Sequence, residues 1–441
     1  MATTDVVEDW FPLEDLAKSL GTNHNHPNPL LLNDWLTIGD NLADNVLNSY
    51  PNASPPDDIV GDLLANGPTS EAAKLFWDSV NQVPEWVDHE LLELGQLTFW
   101  RHAPAIQIIL LFGTLAGGFS NPRINRVLIR TGYLANPTKI YRRLLETAQM
   151  VNEVMLPGSL KPGSSGWESI LRVRFLHSAV RLRQARATAN KSKSSKLLSH
   201  ELAINQTDQI GTILGFQCTV ITGLTYFGIH LTVKEREAYT HLWRLVGYYM
   251  GVDDECNPCN QGFETSTAIL RDYLRLYFRP DDDGSRLSNG VLKAVSERPP
   301  SNIPIEYSAA MSRVLISKKL ADALKIPQTS FGWTLLARFS FFSIRLFNAY
   351  AYLPGRGDRY VQARRERFPM MLKREIGRTM FSLKVAAENQ GDDETVCVEL
   401  VQSKRSAAVY FGGGVVWIVR GMFVRWVDSV VSLFYSVKKS T

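Results

Sequence analysis

The chain has 441 residues, 45% of them apolar and 21% charged, with a formal net charge of +4. This is the composition of an ordinary folded globular protein, which excludes a disordered or collagen-like chain. Basic residues are spread along the sequence rather than gathered in blocks, so no nucleic-acid partner is expected, and four cysteines are too few for a disulfide framework.

The N-terminus, Met1 to Leu20, carries Asp5, Glu8, Asp9, Glu14 and Asp15 and lacks the basic-then-apolar order of a secretory signal, so an intracellular protein is expected. Residues 21–70 hold His24, His26, Pro27 and Pro29, then Pro51, Pro55 and Pro56, which predicts an irregular, turn-rich arm. Residues 1–70 are accordingly set apart as an N-terminal extension. From about Ser70 the apolar residues recur with a period near 3.6, and Pro or Gly punctuates the segments, which predicts an all-α fold in one large helical domain over 71–400.

Ala105 to Phe119 is apolar but shorter than the roughly twenty residues a membrane-crossing helix needs, and reads as a buried core helix. Further helices are predicted over Thr138–Met155, Trp167 to about Ala189, Asn205 to about Ile229, and Lys234 to about Met250. A polar loop, Lys191 to Lys196, follows the second of these. Asp281 to Pro300 and Ala386 to Thr395 read as surface excursions. Residues 401–441 form an apolar and basic C-terminal segment, with Arg420, Arg425, Lys438 and Lys439 around an aromatic-rich run. Its pattern fits contact with a membrane surface through 407–437 as well as a helix docked on the core.

The most informative stretch runs from Arg172 to Arg183. At 100° per residue, Arg174 and Arg181 fall within about 60° of His177 on a face shared with Ile170, Val173 and Val180, while Arg172, Arg183 and Arg186 lie opposite. Such a face suits an imidazole iron ligand flanked by guanidinium groups that meet propionate carboxylates. From spacing alone the better reading is a core histidine whose arginines bridge to acids on neighbouring helices. One helix earlier, Arg143 and Thr147 share a face with Ile140, Met150, Val151 and Val154, as polar residues of a pocket or as an arginine reaching outward to solvent. Cys256 and Cys259 have the spacing of half a zinc site with no second pair to complete it. No dinucleotide, P-loop or nucleophile-elbow motif is present.

The order of these elements resembles the haem-dependent family of rubber oxygenases (latex clearing protein) and ER-bound mpaB-type oxygenases. The resemblance rests on Gly117-Gly118 with Asn121-Pro122, Thr131-Gly132-Tyr133-Leu134, Arg143-x-x-x-Thr147 and Arg174-x-x-His177-x-x-x-Arg181. It continues through Asn205-Gln-x-Asp208, Phe216, Gly223, Glu237-x-Tyr239-x-x-x-Trp243-Arg244, Gly247 and Gly251-Val252, and is clearest over 85–260. It implies a helical domain enclosing haem b, with His177 as the axial iron ligand, Arg174 and Arg181 as its flanking arginines, and Arg143 and Thr147 as distal polar residues. Rubber-cleaving members carry a lysine immediately before that threonine, where this chain has Glu146. They also carry an acidic residue one helix upstream, whereas residues 125–130 hold no carboxylate, which leaves Glu146 as a substitute base.

The implied reaction joins dioxygen to an apolar, unsaturated substrate and cleaves a C=C bond of an isoprenoid or prenyl chain. The mpaB-type members imply the endoplasmic reticulum membrane as a location. Two alternatives stand beside this: a haem protein without C=C cleavage, and a membrane-associated helical scaffold without cofactor in which Arg174, His177 and Arg181 form a structural network.

Overall fold

The computed structural model describes residues 30–50, 55–132, 137–192, 201–297 and 302–376, together with two paired strands, Lys384–Val385 and Val398–Glu399. In chain order the helices are α1 (Leu30–Asp34), α2 (Asn41–Asn48), α3 (Ile59–Asn66), α4 (Glu71–Val80) and α5 (His89–Ile108). The last of these continues as a π-helical segment, Ile109–Leu115, into a final turn, Ala116–Gly118. Then come α6 (Pro122–Arg130), α7 (Pro137–Val154), α8 (Ser165–Ser192), α9 (Gln206–Tyr226), α10 (Val233–Tyr249) and α11 (Gly262–Tyr277). The described helices close with α12 (Asp282–Val295), α13 (Ile305–Leu315), α14 (Lys318–Ala323), α15 (Phe331–Tyr350) and α16 (Arg356–Ile376).

The all-α fold agrees with the periodicity, and the four helices predicted over 138–250 fall on α7 to α10. Their starts have identifiable causes. Asn205 caps α9 by accepting from Asp208 N at 2.9 Å, and Thr232 with Glu235 forms a capping box on α10 (Glu235 N to Thr232 Oγ1 3.2 Å; Thr232 N to Glu235 Oε2 2.9 Å). The predicted core helix over 105–119 is the end of α5 and its π continuation, with Ala105, Ile106, Ile109, Phe112 and Phe119 buried. Packing there is close: a Cβ on Gly223 of α9 would stand 2.7 Å from Ile109 Cγ2, so only glycine lets α9 lie against the π segment.

Two expectations differ from the structure. The stretch 30–66, expected to be an irregular arm, carries α1, α2 and α3, and Leu32, Val46, Ile59, Val60 and Leu63 join the main core. These helices are short and bounded by caps rather than by long periodic runs, so periodicity passes over them. Asp40 caps α2 through Ala43 N at 3.3 Å, and Asp58 caps α3 through Gly61 N at 3.0 Å. Likewise Asp281–Val295, expected to be a surface excursion, is helix α12, capped by Asp281 on Gly284 N at 2.7 Å and burying Leu287, Val291 and Leu292. The expected loop residues 193–196, the stretch 386–395 and the C-terminal segment 401–441 lie outside the described residues. Among the described residues no single helix is long and apolar enough to cross a membrane; α5 with its continuation and α6 pass only as a pair bent by 96°.

Candidate functional site

Helix α8 is tied to the N-terminal helices by three arginines, each on a carboxylate that starts one of them. Arg174 grips Asp40 with two bonds (Nε to Oδ2 2.6 Å, Nη2 to Oδ1 2.9 Å) and donates from Nη1 to the Tyr249 carbonyl at 3.3 Å. Arg181 grips Asp44 in the same way (2.8 and 2.7 Å) and reaches the Ile204 carbonyl at 2.8 Å. Arg172, on the opposite side of the helix from His177, is buried as well, on Asp58 (3.0 and 3.0 Å) and Glu168 (2.8 Å). Burial opposes the charge on Asp40, but the charge and hydrogen bonds of Arg174 more than offset it and hold the carboxyl below its usual range. Gly251 closes the arrangement: its φ is +89°, and a Cβ there would stand 2.3 Å from Asp40 Oδ2 and 2.7 Å from Arg174 Nε.

Between Arg174 and Arg181 on the same helix stands His177. Its ring makes no hydrogen bond, and its Nδ1 is buried without a partner. Burial, then the charge of Arg181, then that of Arg143 push its pKa down to about 4, against a smaller opposite pull from Asp40. The imidazole is therefore neutral at physiological pH, with a lone pair to offer. The influence of Arg143 places α7 beside the ring. On α7, Glu146 is 1% exposed and sits between Arg142 Nε at 3.0 Å and Arg143 Nη1 at 2.5 Å. Thr147 is exposed, and its hydroxyl donates to the Arg143 carbonyl of its own helix at 3.0 Å.

The predicted residues thus separate into two groups. His177, Arg143 and Glu146 share one electrostatic neighbourhood across α7 and α8, and Thr147 is one residue beyond it. Arg174 and Arg181 hold α2 carboxylates, so their structural role is to position the helix that carries His177. A neutral, unpartnered imidazole can bind a transition metal or hold a proton. Among the described residues no group of three or more His, Cys, Asp or Glu could hold a bare ion.

A second cluster, in which His102 and Glu235 are buried, escaped sequence reasoning. His102 meets the Tyr352 hydroxyl at 2.8 Å, and that hydroxyl donates to Glu235 Oε1 at 3.0 Å. Because the phenol proton goes to the carboxylate, His102 Nε2 is the donor, which leaves Nδ1 as the buried atom without a partner. Burial is the main cause that lowers the His102 pKa to about 4. Nearby, Pro104 has no N–H for the Trp100 carbonyl four residues back, and Arg364 of α16 donates to that carbonyl at 3.4 Å. The helix-interior proline and the Thr232-x-x-Glu235 capping signature were the available signals.

Comparison with known proteins agrees with this architecture. A solved structure of latex clearing protein in its closed state superimposes with a TM-score of 0.59 at 19% identity, over 82% of this chain and 96% of that one; at this identity the match shows the fold alone. A rubber oxygenase of Streptomyces sp. (strain K30) is 22% identical over 273 residues, 60% of this chain and 64% of the relative, so the chain spans somewhat under two thirds of that protein. The model of the catalytic domain shared by ER-bound oxygenase mpaB/B' and rubber oxygenase matches residues 100–348, which contain α7, α8 and His177. With that match over more than half of its length, the chain belongs to the mpaB/rubber oxygenase catalytic-domain family.

Proposed function

We propose that the chain is a haem b-dependent oxygenase that uses dioxygen to cleave a C=C bond in an apolar isoprenoid or prenyl chain. The observation that carries this reading is His177, a half-buried, neutral imidazole whose Nδ1 is buried without a hydrogen-bond partner, on the face and in the order that the family resemblance assigns to an axial ligand. The residue present fits the group: His177, whose buried Nδ1 has no partner, would hold the iron, while Arg174 and Arg181, bound to Asp40 and Asp44, fix the helix that carries it. When bound, the haem supplies one-electron and dioxygen chemistry that amino-acid side chains lack.

The rest follows from the chain itself. Burial, reinforced by the charges of Arg181 and Arg143, keeps His177 unprotonated, so its lone pair stays available at neutral pH. Glu146, fixed by Arg142 and Arg143, presents carboxylate oxygens that can take a proton from a substrate carbon and return it before the products leave, so that no net proton is consumed. Both oxygen atoms of dioxygen end in the two carbonyl products, so the reaction balances without an external reductant. The test is incubation of haem-loaded protein with squalene or a polyisoprene oligomer under 18O-labelled dioxygen. Shortened carbonyl products carrying the label are expected. Haem-loaded protein that leaves these substrates intact would contradict the reading.

A further inference from the structure

Helix α15 carries large apolar side chains on two opposite faces, yet only one of these faces is covered. Ala337, Phe341 and Ile344 are buried against the rest of the molecule. On the other side Phe331 is 80% exposed, Leu335 55%, Phe339 40%, Phe342 55% and Leu346 58%. At 100° per residue these five fall within an arc of about 80°, an unbroken stripe along four turns of the helix. Tyr352 and Leu353, just beyond its end, are exposed as well. Single exposed apolar side chains are ordinary on a soluble protein, whereas a continuous stripe of this size marks a contact surface.

Charge identifies the occupant. Arg338 and Arg345 are exposed along one flank of the stripe, and no acidic residue occurs from Phe331 to Leu353. The surface therefore pairs a hydrophobic band with positive charge, the arrangement by which a helix lies in the interface of a membrane carrying acidic headgroups. Residues 401–441 match it poorly, since they hold Lys404, Arg405, Arg420, Arg425, Lys438 and Lys439 against Asp428 alone. A second copy of the chain would bring the same arginines against themselves.

We propose that the exposed face of α15 docks on an anionic lipid surface, with Phe331, Leu335, Phe339, Phe342 and Leu346 inserted at the headgroup boundary and Arg338 and Arg345 on acidic lipid. The claim is independent of the reaction carried out at His177.

The experiment is flotation of the full-length chain with vesicles of phosphatidylcholine alone and of phosphatidylcholine mixed with phosphatidylserine. The wild type is compared with Leu335→Asp/Phe342→Asp and with Arg338→Gln/Arg345→Gln, all checked for an unchanged thermal transition. The wild type is expected to favour the phosphatidylserine vesicles, the aspartate variant to lose at least tenfold in binding, and the glutamine variant to lose up to about thirtyfold on acidic vesicles only. Failure of the wild type to float, or equal flotation of the aspartate variant, overturns the proposal; the latter would move the contact elsewhere, for example to 407–437. It is also overturned if the wild type is a dimer in solution that the aspartate substitutions split.

Discussion

His177 and His102 are both held neutral by burial, and their effects on stability run in the same direction. Each has a folded pKa near 4 against an ordinary value of 6.5, so the unfolded chain binds protons the folded chain refuses. Stability is full above about pH 6.5 and falls as pH drops toward 4, by up to about 3 kcal/mol for each group. Asp208 acts oppositely: burial, opposed by Arg123, raises its pKa to about 6, so the stability it confers is present at low pH and lost as pH rises through 6. The clean measurement is therefore a difference. Urea unfolding at pH 7 and pH 5 should show a pH dependence about 2 kcal/mol smaller in His102→Phe than in the wild type; equal dependence would show that His102 titrates normally.

Glu146 gives a second test at this scale. Glu146→Gln keeps the side chain's shape and one of its two acceptor oxygens while removing its capacity to hold a proton. It should bind haem as the wild type does and lower kcat at least tenfold without raising KM. Unchanged turnover would remove Glu146 from the chemistry. The helical wheel placed Arg174 and Arg181 beside His177, where the structure has them, but could not show their partners. Asp40 and Asp44 lie more than 130 residues away in sequence. Angle on a helix says which side a residue takes, not what covers that side, so it does not reveal that Arg172 is buried on Asp58 and Glu168.

At the scale of elements, the joint between α8 and α2 is a set of buried ion pairs whose halves depend on each other. Arg181 is 2% exposed, and Asp44→Ala would leave its charge without a carboxylate while also removing the acceptor of the Ser178 hydroxyl. A loss of about 3–5 kcal/mol is expected in chemical denaturation. Asp44→Ala combined with Arg181→Met should be distinctly less destabilised than Asp44→Ala alone, because the stranded charge is gone. If the double variant is the weaker one, the pair is not the joint's main constraint. The long helices were legible because each presents several turns of periodic apolar residues. Helices α2, α3 and α12 were not: their strongest local signals are Asp40, Asp58 and Asp281, residues that caps and surface loops use alike.

For the whole molecule, the N-terminal helices are part of the domain rather than an appendage to it. Removing residues 1–70 would strip Leu32, Val46, Ile59, Val60 and Leu63 from the core and leave Arg172, Arg174 and Arg181 without Asp58, Asp40 and Asp44. The truncated chain is expected to be insoluble or to lack a cooperative thermal transition; a soluble product with the wild-type transition would restore the reading of 1–70 as an extension. The all-α class and the family were readable because they rest on period and on motif order, both carried by single segments. The joining of 30–66 to α8 was not, because it rests on contacts that only the folded chain creates.

The most direct measurement of the central claim is the absorption spectrum of the full-length protein, purified after expression with sufficient haem, beside that of His177→Ala. The wild type should show an intense Soret band, and the variant should lose it or show a clear change in iron ligation. The same spectrum and the same haem content in both proteins would mean that His177 is not the iron ligand.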